Sequence, residues 1–152
     1  MRILFSAVAI TLLAPAAHAA EDYAAFRACV EAVEEATVTA TFHHCTAEIA
    51  APCGASATAK EAAACIDAKR DEMEAEIFAQ TFVLAAKTDD APEEVTSALA
   101  GNRSAGEASC AMMAQRDAAA DVAVGQRAVN GAFCQLIATG DVLGMAYRLE
   151  TE

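Results

Sequence analysis

Residues 52–66 read PCGASATAKEAAACI, and this stretch decides the fold around it. Its proline and its glycine mark a turn, because neither residue type favours a helix interior. Thr58 then precedes Glu61 by three positions, the spacing of a capping box, in which each side chain accepts a hydrogen bond from an unpaired backbone N–H. The stretch therefore predicts a turn and then the start of a helix, with Cys53 and Cys65 on either side of the cap.

A hydrophobic stripe extends this predicted helix well beyond residue 66. Apolar residues recur at helical intervals, as on a helix with one buried face. The stripe consists of Ala62, Ile66, Met73, Ile77 and Leu84. We therefore expect one long helix that ends near Lys87.

Two further helices are predicted on the N-terminal side of the turn. Their stripes consist of Tyr23, Phe26, Val30 and Val33, and of Val38, Phe42, Cys45 and Ile49. Residues 37–42 also alternate between polar and apolar side chains, as a strand would. We prefer a helix there because the helical pattern covers more residues.

Two more helices are predicted on the C-terminal side. Their stripes consist of Val95, Leu99, Cys110 and Met113, and of Val129, Phe133, Ile137 and Tyr147. Asp90 and Glu93 have the spacing of a second capping box at the start of the fourth helix, where Pro92 suits a first turn. We expect a break at residues 121–125, and Gly140 as an interruption of the fifth helix.

The composition favours helix throughout, with abundant alanine, no Trp, 7 Gly and 3 Pro. Alanine has the highest helical propensity, whereas strands prefer β-branched and aromatic residues. Alanine also fills little volume, so the core is thin and disulfides compensate for it. The predicted fold is all-α, a small antiparallel helical bundle or a set of helical hairpins stapled by up to three disulfides.

Residues 1–19 have the pattern of a cleavable signal peptide. A positive charge precedes a short apolar run, Pro15 interrupts it, and the small residues Ala17 and Ala19 suit a signal peptidase. The run is too short to span a bilayer. We therefore predict a signal peptide over residues 1–19 and a single helical, disulfide-bonded domain over residues 20–152. The predicted location is periplasmic or secreted, without stable membrane insertion after cleavage.

All 6 cysteines lie beyond the predicted signal, and an even number of cysteines in an exported chain predicts disulfides. No Cys-x-x-Cys is present, so thioredoxin-like redox chemistry and haem attachment lack their signature. The midpoints of Cys29 and Cys45 and of Cys110 and Cys134 fall at predicted breaks between antiparallel helices, which places those cysteines opposite each other. Cys53 and Cys65 flank the capping box at Thr58. Among the connectivities that six cysteines allow, we predict Cys29–Cys45, Cys53–Cys65 and Cys110–Cys134.

The chain is strongly acidic, with a net charge of −12. That charge argues against nucleic acid and anionic membranes as partners, and it favours a cationic protein such as a lysozyme. Acids gather on the first and third predicted helices and are the candidates for a binding surface; a solvated helix face is the other interpretation. These acids are Glu31, Glu34, Glu35, Asp71, Glu72, Glu74 and Glu76.

No group of residues has the composition and spacing of a catalytic or metal site. On a helix, the adjacent side chains of His43 and His44 point about 100° apart and do not easily share an ion, and Cys45 is better used in a disulfide. No serine lies in a Gly-x-Ser-x-Gly elbow, and no Gly-rich phosphate loop is present. We therefore predict no enzyme, no metal and no cofactor. The methionines expected in the core are Met73, Met112 and Met113.

The spacing of the last four cysteines around a long helix resembles that of the LprI-type lysozyme-inhibitor-like family, which consists of small exported bacterial proteins. The resemblance covers roughly residues 26–149. Positions that fit the family pattern are Glu74, Ile77, Arg103 and Thr139. Positions that depart from it are Phe78 and Thr81, which replace an Asn and a Tyr. The family's Trp is absent, and its Gly-Gly-Ser turn is replaced by AAADVA.

The resemblance implies a helical fold in which one cysteine pair precedes the long helix and another brackets a turn near the C-terminus. It also implies protein binding, with lysozyme inhibition as the most specific form. We expect a periplasmic, disulfide-stabilised protein-binding domain of this type. The alternative is a structural or envelope-stress protein of the periplasm without enzymatic activity.

Overall fold

A computed structural model describes residues 15–32 and 38–151 of the chain, with side chains for residues 23–32 and 42–151. These residues form five α-helices and one short 3₁₀ helix, Ala51–Ala55, and no strand is present among them. The α-helices are α1 Pro15–Glu31, α2 Val38–Ala50, α3 Ala59–Thr88, α4 Pro92–Ala119 and α5 Val124–Thr151. The fold is an all-α, disulfide-stapled bundle, as predicted.

The capping box at the start of α3 is confirmed. The backbone N–H of Glu61 donates to Thr58 Oγ1 at 3.2 Å, and the N–H of Thr58 donates to Glu61 Oε2 at 3.0 Å. Both groups would otherwise be unpaired at the helix end. α3 ends one residue after Lys87, and Asp89 follows in the left-handed conformation, with φ of 61°. Ile66, Met73, Ile77 and Leu84 are buried on one face, as the stripe predicts, while Ala62 is partly buried.

The second predicted capping box, Asp90 with Glu93, is wrong. Ala91 is the N-cap of α4, and no side chain caps it. The carbonyl of Ala91 accepts hydrogen bonds from the N–H groups of Glu94 and Val95, which places Pro92 at the first helical position. Proline fits there because its missing N–H would be unpaired anyway. Asp90 therefore lies one residue too early to cap the helix.

α5 packs against all four other α-helices. Its buried residues include Leu136, Leu143 and Tyr147. Of the predicted stripe, only Tyr147 is fully buried; Val129, Phe133 and Ile137 are partly exposed. A helix with neighbours on several sides is buried on more than one face. A stripe that assumes one buried face therefore does not identify its core residues.

Gly140 does not interrupt α5, contrary to the prediction. The helix is continuous there, and a Cβ at this position would overlap the side chain of Thr46 on α2. A Cβ at Gly144 would lie 2.8 Å from the ring of Phe42. Both glycines therefore allow α2 to approach α5 closely.

The stripes predicted for the first two helices agree with the structure wherever it describes them. Tyr23, Phe26 and Val30 are buried on α1, and Val33 lies outside the described residues. Phe42, Cys45 and Ile49 are buried on α2. The helix preferred over a strand is confirmed from Val38 onward; residue 37 lies outside the described range.

The three predicted disulfides are present. Cys29–Cys45 joins α1 to α2, Cys53–Cys65 joins the 3₁₀ helix to α3, and Cys110–Cys134 joins α4 to α5. Their Cα–Cα distances of 5.9, 5.6 and 5.6 Å are ordinary for disulfides. The break between α4 and α5 falls at residues 120–123 and overlaps the predicted break at residues 121–125. Each bond stabilises a small domain by about 2–4 kcal/mol.

Candidate functional site

A polar cluster connects the middle of α3 to α4 and α5. Both Nη atoms of Arg103 donate to the Glu74 carboxylate at 2.6 Å, and the hydroxyl of Thr139 donates to the Gln135 carbonyl at 3.0 Å and lies 3.4 Å from Glu74 Oε1. This hydrogen bonding to Glu74 raises the pKa of Arg103. A cavity of about 210 Å³ adjoins the cluster, and Arg70 and Glu107 also line it. Three residues that carry the family resemblance thus lie together in space.

Two exposed aromatic rings continue along α3 from Glu74. Phe78 and Phe82 follow at intervals of four residues, so the three side chains lie on one side of the helix. Phe78 is 67 % exposed and Phe82 is 50 % exposed. Their ring centroids are 5.0 Å apart, with one ring edge towards the other. Two large apolar side chains are therefore in contact with each other but open to solvent.

The turn between α3 and α4 is strongly acidic. Four exposed carboxylates fall within six residues, and none has an ion-pair partner within the described ranges. They are Asp89, Asp90, Glu93 and Glu94. Phe82 lies less than two helical turns from the end of α3. We call Phe78, Phe82 and these four acids the aromatic–acidic ridge.

The acids of the first and third helices, which the sequence predicts as a candidate binding surface, mostly have partners inside the chain. Asp71 pairs with Arg70, Glu72 with Lys69 and Glu31 with Arg27. Glu74 and Glu76 bond to other helices, while Glu34 and Glu35 lie outside the described residues. Four acids without an ion-pair partner in the described part of the chain lie instead together at the α3–α4 turn. Their signal in the sequence is the run of four acids within residues 89–94.

A second interhelical network surrounds Tyr147, which is almost fully buried. Its hydroxyl donates to Glu76 Oε1 at 2.8 Å, and Gln80 Nε2 donates to the same oxygen at 3.1 Å. The guanidinium of Arg27 lies 5.2 Å from the centre of the Tyr147 ring. Burial, and then the contact with Glu76, raise the pKa of Tyr147 well above its ordinary value. This network holds α1, α3 and α5 together.

Of the two adjacent histidines, His44 is exposed, and His43 contacts Asp141, with Nε2 3.2 Å from Oδ2. The part of the chain that the structure describes contains no group of three His, Cys, Asp or Glu residues arranged to hold a metal.

Met73 is buried as predicted, and Met113 is partly buried. The prediction for Met112 is wrong, because its side chain is 61 % exposed on the outer face of α4. Across the described helices, none is long and apolar enough to cross a membrane.

Comparison with known proteins finds no relative of this chain. No family model, no curated protein and no solved structure matches it. The resemblance to the LprI-type family therefore stays a prediction, which rests on the cysteine spacing and on Glu74, Ile77, Arg103 and Thr139.

Proposed function

We propose that this chain is an exported, non-enzymatic protein-binding domain whose partner is a cationic protein. The observation that supports the proposal is the aromatic–acidic ridge. Aromatic residues are enriched in protein interfaces and dominate their energetics, whereas an isolated monomer gains nothing from exposing two of them in contact. The four carboxylates of the α3–α4 turn, which follow the two rings along the chain and have no ion-pair partner among the described residues, are complementary to a positively charged surface.

Charge supports the choice of a cationic partner. The chain carries a net charge of −12, which attracts basic proteins from a distance, and the ridge concentrates part of that charge. Complementary potentials raise association rates and exclude acidic competitors. Lysozymes are small basic proteins, and the resemblance to the LprI-type family implies the same partner. Lysozyme inhibition is therefore the specific form of the proposal.

The compartment is proposed from two features that agree. Disulfides persist in oxidising compartments, and three are present here. Residues 1–19 have the pattern of a signal peptide. We infer a periplasmic or secreted protein.

The ridge also has a rigid support. Both rings lie on a helix of 30 residues that is capped at its start and buried along one face. A rigid site loses little conformational entropy on binding, so more of the contact energy is available for affinity.

The test is binding of the oxidised chain to egg-white lysozyme, measured by calorimetry alongside a cell-wall clearing assay. We expect Phe78→Ser/Phe82→Ser to weaken binding by about tenfold or more, because truncating hot-spot aromatics has effects of this size. Asp89→Asn/Asp90→Asn should slow association and reduce its salt dependence. Met112→Ser is the matched control, since it removes an equally exposed apolar side chain from α4.

Protein binding and lysozyme inhibition, the two parts of the proposal, are tested by different outcomes. Binding without any change in clearing would remove lysozyme inhibition and keep protein binding. No binding to lysozyme or to other basic proteins would favour the structural or envelope-stress role. Equal losses in the Met112 variant and in the phenylalanine variant would show that the ridge is not the binding surface.

A further inference from the structure

A second cavity, of about 320 Å³, lies between α2, α4 and α5. Its lining residues are not those of the ridge or of the Glu74 cluster. The walls combine apolar side chains with a few polar groups, which is the usual composition of a small-molecule site. The residues that matter for the argument are Phe42, His43, Asn102, Ser109, Asp141 and Met145.

Asp141, one of the residues that line this cavity, has a carboxylate oxygen without a described hydrogen-bond donor. Its Oδ2 lies 3.2 Å from His43 Nε2, whereas its Oδ1 is buried and has no hydrogen-bond donor among the described residues. Buried carboxylate oxygens are normally hydrogen-bonded, because leaving one unpaired is unfavourable. Burial also raises the pKa of Asp141, and the contact with His43 opposes that rise. The carboxylate thus borders the cavity and has one covered oxygen that no described donor pairs with.

The chemistry of the walls restricts the ligand. An anion would be repelled by Asp141, and a neutral group would not compensate its charge. An ammonium group offers three N–H donors and a positive charge, and an aliphatic chain attached to it suits Phe42 and Met145. We infer that this cavity binds a primary alkylammonium group, which donates to Asp141 Oδ1 while its chain lies against Phe42 and Met145.

Access to Asp141 involves His43. Because Oδ1 has no surface open to solvent, an ammonium reaches it only when a neighbouring side chain turns away. The proposal assigns this movement to His43, whose side chain is 46 % exposed and contacts the other oxygen, Oδ2, of the same carboxylate. Binding therefore changes the environment of the His43 ring. The inference is independent of the ridge, because a small amine would occupy this cavity whether or not the ridge binds a protein.

The experiment is a titration of the oxidised chain with pentylamine, followed by NMR of the imidazole and backbone resonances. We expect saturable shifts at His43, Asp141 and Met145. Pentanol has the same chain without the charge and should bind at least about tenfold more weakly, since a charge-assisted hydrogen bond contributes on this scale. This comparison needs no variant and so does not depend on refolding.

Variants locate the site. Asp141→Asn should weaken pentylamine binding by about tenfold, whereas Glu48→Gln, which neutralises an exposed acid on the same α2 helix as His43, should leave it within about twofold. Circular dichroism confirms that each variant is helical. Equal binding of pentylamine and pentanol, or equal losses in both variants, would overturn the inference, because the attraction would then be apolar or general.

A second titration distinguishes a lysine side chain from a free amine as the ligand. Nα-acetyl-lysine methylamide presents the same group on a lysine side chain. Binding comparable to that of pentylamine would support the site as a receptor for lysine side chains as well. Binding of pentylamine alone would support it as a site for free amines. Shifts confined to residues outside the cavity in both titrations would overturn the inference.

Discussion

α4 and α5 have the same length of 28 residues, yet α5 buries ten of them and α4 buries three. The two helices are therefore stable for different reasons. α5 is held by apolar contacts with all its neighbours. α4 is held by the Cys110–Cys134 disulfide, by the Arg103–Glu74 ion pair and by the short turn from α3. Covalent and polar contacts replace burial where alanine leaves little apolar surface to bury.

The thin packing of α4 has a consequence for function. Arg103 and Glu107 line the cavity beside Glu74, while Asn102 and Ser109 line the cavity beside Asp141. Residues of α4 thus line two of the cavities of the described structure. Segments with few buried contacts are also those that open most readily. We expect α5 to stay rigid, and we expect α4 to move more readily where it lines the cavities beside Glu74 and Asp141.

The largest expected effect on stability comes from a substitution in the buried face of α5. Leu143 is fully buried, so Leu143→Ala should lower the free energy of unfolding by about 2–5 kcal/mol, the range for large cavities in a core. Leu149→Ala on the same helix is the control, because that side chain is 39 % exposed and its loss should amount to less than about 1 kcal/mol. Urea unfolding followed by circular dichroism measures both, since the chain has no Trp. Similar losses would contradict the assignment of α5 as the core helix.

Removal of the α4–α5 disulfide should have a smaller and more local effect. Cys110→Ser/Cys134→Ser opens a loop with a sequence separation of 24, which lowers stability by about 3 kcal/mol. Hydrogen exchange should show protection lost mainly in α4, because few buried side chains hold that helix. Cys53→Ser/Cys65→Ser is the matched control and should leave the protection of α4 intact. Uniform loss of protection in both variants would mean that α4 does not open on its own.

The smallest expected effect concerns Tyr147 and depends on pH. Its pKa is raised in the folded chain, so the unfolded chain releases the phenolic proton first, and stability falls as pH rises above the ordinary tyrosine value of about 10. Below that pH the stabilisation is fully present. Tyr147→Phe should therefore flatten the alkaline decline, and at neutral pH it should lower stability by about 1 kcal/mol through loss of the hydrogen bond to Glu76. An unchanged alkaline decline in this variant, measured by urea unfolding at several pH values, would assign the effect to another group.

Much of the fold follows from local sequence patterns. Thr58 and Glu61 define the start of α3 because a capping box involves only neighbouring residues. The disulfide pairing follows because two antiparallel helices joined by a short turn bring residues at equal distances from the turn together. Asp90 failed as a cap because Pro92 determines the start of α4 one residue later. Met112 failed as a core residue because it is adjacent to Met113 of the α4 stripe, so its side chain points about 100° away from the packed face of the helix.

The sequence by itself determined the helices, the cysteine pairing and the acidic charge, since each depends on local spacing or on composition. Only the tertiary structure decided which acids remain unpaired, that Glu74 meets Arg103 and Thr139, and that the partly buried Asp141 contacts His43. Those contacts join residues far apart in the chain, and the rotation of each helix about its axis determines them. An alanine-rich sequence specifies that rotation weakly along any one helix, so it is fixed only when the helices pack together.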